Sequence, residues 1–182
     1  QAALGLTNTN TRVFFGNTTV GSIFSDLAIY EATPDTTPPV ISAPRSITEE
    51  ATSRAGAEVT FTATAEDDVD GTVRVVAIPA SGSTFPIGTT IVGLAASDAA
   101  GNTADATFTV TVEDTIAPSL TVPADTTAEA TSASGAIVSY PDATATDAVG
   151  VASIDYSQNS GTQFSLGATT VDVTASDAAG NT

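Results

Sequence analysis

The chain has 182 residues, four Lys plus Arg against twenty-one Asp plus Glu, a formal net charge of −17, and no His, Cys, Met or Trp. Without His and Cys there is no imidazole base, thiol nucleophile or usual zinc or haem ligand set, and no disulfide framework, so any core must hold by packing alone. So acidic a surface repels phosphate, which disfavours nucleic acid as a partner, and attracts divalent cations instead.

Residues 1–34 open with two expected strands, Arg12-Val13-Phe14-Phe15-Gly16 and Ser22 to Tyr30, around Asn17-Thr18-Thr19-Val20-Gly21. An isolated hairpin of this size is marginal in water and needs a partner. Val13, Phe14, Phe15, Ile23, Phe24, Leu27 and Ile29 are its candidate assembly residues. Asn17-Thr18-Thr19 also matches a glycosylation sequon, a short pattern common by chance. Ala32 to Pro39 reads as a short, stiff connection. The chain starts at Gln1 without Met, as a processed chain or a segment of a longer one does, and no apolar run nears the roughly 20 residues that span a bilayer.

From residue 35 to 113, alternation dominates. Val59, Phe61, Ala63 and Ala65 share one face with Thr60, Thr62 and Thr64 on the other; Val73 and Val75 follow, then Val92, Leu94 and Ala96. Phe108, Val110 and Val112 alternate with Thr107, Thr109 and Thr111. Period-two patterning rich in Val and Thr, broken by Gly and Pro clusters, predicts half-buried strands of an antiparallel β-sandwich. No segment predicts a helix, so the expected class is all-β.

Residues 114–182 repeat this plan at an offset of 79. Asp35-Thr36-Thr37-Pro38-Pro39 returns as Asp114-Thr115-Ile116-Ala117-Pro118, Ala51-Thr52-Ser53 as Ala130-Thr131-Ser132, and Phe85 and Gly88 as Phe164 and Gly167. The same offset sets Asp68 and Gly71 on Asp147 and Gly150, and Ala96 to Thr103 on Ala175 to Thr182, residue for residue. A period this long marks tandem domains. The second copy reaches only the counterpart of Thr103, so it is expected to lack a last strand.

The phrases Asp35-x-x-Pro38-Pro39-Val40-Ile41, Glu50-Ala51-Thr52-Ser53, Ser81 to Thr90 and Ser97-Asp98-Ala99-Ala100-Gly101-Asn102-Thr103 together resemble the hyalin repeat (HYR) domain. The resemblance implies tandem immunoglobulin-like sandwiches in an extracellular, adhesive or structural multidomain protein. Many members carry Cys in the strands; Ala43 and Val122 stand where one is expected, so that disulfide cannot form here. Residues 12 to 31 are similar to the closing hairpin of laminin-G or concanavalin-like jelly rolls.

Acidic residues are the site-forming chemistry on offer. Glu66, Asp67, Asp68 and Asp70 cluster before Gly71, a density of hard oxygen ligands suited to Ca²⁺. The competing reading is a solvated turn, where Asp is favoured for its local hydrogen bonds. Glu113 and Asp114 at the join, with Asp98 and Asn102, form a second candidate set; resemblance to bacterial immunoglobulin-like adhesin repeats implies interdomain calcium there. The alternative is a tight turn with Gly101 or Asn102 at positive φ. The calcium candidates are therefore Asp67, Asp68, Asp70, Asp98, Glu113 and Asp114. Phe61/Tyr140 and Phe85/Phe164 recur in register as core residues do, and nothing suggests a glycosidase pocket.

The expectation is a non-enzymatic secreted or surface-displayed module of bacterial type. One form is a fibre subunit in which residues 11–30 of one copy donate a strand to the second sandwich of the next, head to tail. The alternatives are a spacer stalk within a larger adhesin, with neighbouring domains as partners, or a carbohydrate-binding accessory module that meets cell-surface glycans.

Overall fold

The computed structural model describes residues 33–182; the expected N-terminal strand pair and its assembly residues lie outside them. The described residues form strands, turns and bends and no helix, so none is long and apolar enough to cross a membrane.

The first sandwich contains β1 (Val40–Ser42), β2 (Ile47–Glu50), β3 (Ala57–Val59), β4 (Thr64–Asp67), β5 (Gly71–Val73), β6 (Val75–Ile78), β7 (Ser83–Phe85), β8 (Gly88–Ser97) and β9 (Thr103–Glu113). One sheet runs β2-β9-β8-β6, with β2 parallel to β9 and the other neighbours antiparallel. Opposite it stand β1-β4-β5 and the pair β3-β7. The two long strands, β8 and β9, pair continuously from Gly88↔Val112 to Ser97↔Thr103, and their inward residues Val92, Leu94, Phe108, Val110 and Val112 are buried. They meet Ala57, Val59 and Phe85 from the other face, with Phe61 edge-on to Phe108 at 4.8 Å between ring centres. This is the apolar face that the Val/Thr alternation predicted.

The expected continuous strand through Val59, Phe61, Ala63 and Ala65 is broken between β3 and β4. At the break the Ser81 hydroxyl both donates to the Phe61 carbonyl and accepts its amide, each at 2.8 Å. A side chain thus satisfies backbone groups that a ladder partner would otherwise take. Ser160 does the same for Tyr140 in the second copy, at 2.9 Å in both directions.

The second sandwich has β10 (Ser119–Thr121), β11 (Ala136–Val138), β12 (Thr144–Thr146), β13 (Val151–Tyr156), β14 (Thr162–Phe164) and β15 (Val173–Asp177). Its pairs β10-β12, β11-β14 and β13-β15 reproduce β1-β4, β3-β7 and β6-β8. It has no counterpart of β9 among the described residues, and the effect on packing is direct. Phe85, Val59 and Val92 are buried, whereas their counterparts Phe164, Val138 and Val171 are only half-buried, and the counterpart of buried Ala51, Ala130, is exposed. Val138, Tyr140, Tyr156, Phe164, Val171 and Val173 line an open groove of about 890 Å³.

Candidate metal centres at the sandwich ends

Three turns at one end of the first sandwich bring three carboxylates together. Asp35, ahead of β1, accepts the Thr37 amide on Oδ1 at 2.9 Å. Asp67 closes β4, and its Oδ1 accepts the amides of Val69 and Asp70, both at 2.9 Å. These bonds turn the chain into β5 through Gly71, whose φ is 70°. Asp98 follows β8; its Oδ1 accepts the Asn102 amide at 2.8 Å and its Oδ2 the Asn102 Nδ2 at 2.7 Å. Gly101 takes the positive φ, 93°, that this turn needs. Asn102 Nδ2 also donates to the Asp35 carbonyl at 3.3 Å, linking first and last arms of the cluster.

One carboxylate oxygen from each of Asp35, Asp67 and Asp98 lies within 4.8 Å of the others. The local bonds use Oδ1 of Asp35 and Asp67; their Oδ2 atoms are buried and have no hydrogen-bond partner. Asp67 is only 8% exposed.

Asp114, Asp147 and Asp177 rebuild the cluster in the second sandwich, again within 4.8 Å. Asp147 Oδ1 accepts the Val149 and Gly150 amides, both at 2.7 Å. Asp177 Oδ1 accepts those of Gly180 and Asn181, and Asn181 Nδ2 spans Asp177 Oδ2 at 2.8 Å and the Asp114 carbonyl at 2.9 Å. Asp114 Oδ2 is buried and unpartnered. Burial pushes the Asp98 and Asp177 carboxyls up, but the donors from each Asn and the preceding turn amides outweigh it and hold both below the ordinary value. Asp114 goes the other way: burial first, then the charges of Asp177 and Asp147, raise it.

The turn and ligand readings therefore meet in the same side chains: the turns leave Oδ2 of Asp35, Asp67 and Asp114 without a donor, while both oxygens of Asp98 and Asp177 already accept from their turns. Asp67 and Asp98 stand in the first cluster and Asp114 in the second. Asp68, Asp70 and Glu113 are in neither. Asp68 is exposed. Asp70 Oδ2 accepts the Ala99 amide at 2.8 Å, tying two of the turns together. Glu113 ends β9 in register with Glu50 of β2, and its exposed side chain is outside the triad.

The register of the repeat also needs correcting. β1 pairs Val40 with Glu66, while β10 pairs Ser119, the counterpart of Val40, with Thr146. The offset is thus 80 rather than 79 along β4 and β12, so Asp147 is the counterpart of Asp67 and not of Asp68. Tyr140-Pro141-Asp142-Ala143 holds one residue more than Phe61-Thr62-Ala63, and Asp147 to Gly150 one fewer than Asp67 to Gly71. With that shift, the acidic positions common to both copies are Asp35/Asp114, Asp67/Asp147, Asp98/Asp177 and Glu50/Glu129.

The fourth pair marks the join. β9 runs straight into Asp114-Thr115, and Glu50, at the end of β2 beside it, accepts the Thr115 amide on Oε1 at 2.8 Å and the Thr115 hydroxyl on Oε2 at 2.7 Å. Arg54, in the turn closed by the Ser53↔Gly56 bridge, donates from Nε to the Val149 carbonyl at 2.8 Å. Val149 packs on the edge of the first core. A Cβ on Gly150 would come within 2.7 Å of the Arg54 guanidinium. The loop that carries Asp147 is thus seated on the first sandwich.

The HYR domain family model matches residues 34–112 and again 113–182. Hyalin of Strongylocentrotus purpuratus is 35% identical over 184 aligned positions, covering 91% of this chain and 15% of that protein. Hyalin of Lytechinus variegatus is 37% identical over 158 positions, covering 81% of this chain and 29% of that protein. The chain belongs to the HYR domain family and carries two such domains in tandem. It spans less than a third of the length of either relative. Both relatives come from sea urchins, which conflicts with the expectation of a bacterial source.

Proposed function

We propose that this chain is a non-enzymatic, extracellular adhesion-type module, and that its two sandwiches form a stiff spacer segment that holds neighbouring domains apart and presents them to surface partners. The HYR family and the two hyalin relatives support the adhesive, extracellular class. The observation that carries the spacer reading is the join itself: Glu50 grips Thr115 at two points with no free linker between β9 and the second sandwich. Inter-domain contacts without such features leave relative motion as the default. Spin labels, one on an exposed strand of each sandwich, test it by pulsed electron–electron resonance. A narrow distance distribution, broadened by Glu50→Ala, supports the spacer; an equally broad distribution in both chains overturns it.

A second reading rests on the groove of the second sandwich. A strand with the Val/Thr alternation of β9 fits it, whether from the same polypeptide or from another copy. Addition of residues 11–30 of a second chain is the fibre form of this idea. Deleting residues 1–33 then abolishes end-to-end assembly seen by electron microscopy; fibres unchanged by the deletion rule it out.

A further inference from the structure

We propose that Asp35, Asp67 and Asp98 hold one divalent cation of the calcium class, and that Asp114, Asp147 and Asp177 hold a second. Buried carboxylate oxygens without a donor are rare in folded proteins because their desolvation is uncompensated, and an ion is one of the few things that compensates it. Asp67 is more than nine-tenths buried, and the oxygen its turn leaves over has no partner. Its neighbours in the cluster are two more carboxylates, so the charge that completes the site is positive.

The chemistry of the donors selects the cation. All are oxygens, which suits a hard ion and not a thiophilic one. The oxygens of each triad lie within 4.8 Å of one another, no farther apart than about twice the 2.3–2.6 Å Ca–O bond length, so all three can reach one ion. The ligands belong to three separate turns, so the ion ties the start of each sandwich to the ends of β4 and β8, or of β12 and β15.

The internal repeat adds an independent argument. The two copies share few acidic positions, although acidic residues are scattered through both. Three of the four shared pairs are the triads, and the carboxylates come together in both copies even though the loop between Asp67 and Gly71 has changed length. The register shift in β12 sets Asp147 in the place of Asp67, and the shorter loop after it restores the offset at Gly150, so the charge stays in place while the surrounding residues do not.

The test uses the whole chain, stripped of metal by chelator and kept at physiological ionic strength so that the diffuse counterions of a −17 chain are screened. Calcium chloride is titrated calorimetrically, up to about 10 mM because extracellular modules bind at about 10⁻⁴–10⁻³ M. Two ions bind per chain and the melting temperature rises with calcium. Asp67→Asn keeps the turn bonds through its amide oxygen but removes the charge, and leaves one ion; Asp147→Asn also leaves one. Asp67→Asn with Asp147→Asn leaves none, and Asp68→Asn, outside the triads, still takes two. Should the substituted chains fail to fold, NMR on the native chain decides: calcium shifts the amides of Val69, Asn102, Val149 and Asn181 first. No saturable binding, binding unaffected by Asp67→Asn, or shifts centred elsewhere overturns the assignment. The spacer reading stands or falls separately, on the distance distribution.

Discussion

Glu50 of the first sandwich binds Thr115 of the second through both carboxylate oxygens, and Thr115 is the residue next to Asp114 of the second triad. The contact joins the place where two domains meet to the place where three charges meet. Its sensitivity to acid follows from its chemistry. The Thr115 amide first, then its hydroxyl, lower the Glu50 pKa below its ordinary 4.5. A carboxyl with a depressed folded pKa contributes stability in full above the unfolded value and loses it as pH falls through the folded one. The inter-sandwich distance distribution is therefore constant above about pH 4.5 and broadens below the lowered folded value. Glu50→Gln, measured alongside, separates this from protonation of the nearby Asp114: the variant lacks the Glu50 component of the change.

Unequal cores give a second expectation. Phe85→Ala removes a fully buried ring and destabilises the first sandwich by about 3–5 kcal/mol. Phe164→Ala, at the matching but half-buried position, costs about 1 kcal/mol. Thermal melts of the two variants check the ratio; equal losses contradict the open groove.

Extending the chain past Thr182 with a copy of Ala104 to Glu113 closes that groove. The second sandwich then gains the inward Phe and Val positions that β9 gives the first, and its melting transition moves up. In the extended chain the cost of Phe164→Ala grows toward that of Phe85→Ala, which denaturant titration of both pairs measures. A cost that stays at the lower value shows that the strand does not dock.

Gly56 and Gly135 are a fourth check. Each has a φ near 107°, and an added Cβ would lie 1.8 Å from the carbonyl oxygen of Phe85 or Phe164. Contact that close requires backbone movement of the turn and of the strand facing it. Gly56→Ala therefore destabilises by more than the ordinary surface limit of about 0.5 kcal/mol, and Gly135→Ala does so in the second sandwich. Urea denaturation of each variant reads the loss.

Much of this was legible in the sequence because packing and alternation are local. Phe108, Val110 and Val112 pointed inward as their spacing required, and Asp98-Ala99-Ala100-Gly101-Asn102 formed the turn that its Gly and Asn foretold. The triads were harder to read because their members lie far apart in the chain and each has a local job. Asp35 looked like part of a domain-start phrase, Asp177 like a copied turn, and Asp147 was set on the wrong partner by a constant offset. The signal was present in the Phe61-Thr62-Ala63 and Tyr140 to Ala143 segments, whose unequal lengths reveal the shift. What no linear reading supplies is that three separate turns arrive at one point, since strand pairing alone determines that.

Glu129 holds in the second sandwich the position that Glu50 holds in the first, and it is exposed. A grip built from one residue at the end of each unit and one at the start of the next gives every joint the same rotation and the same rise. Units strung together this way would generate a screw, whose pitch is set by the contacts at each joint, one carboxylate–threonine contact among them. A change at that one contact is multiplied by the number of joints, so a small local difference in angle becomes a large difference in where the far end of the array points.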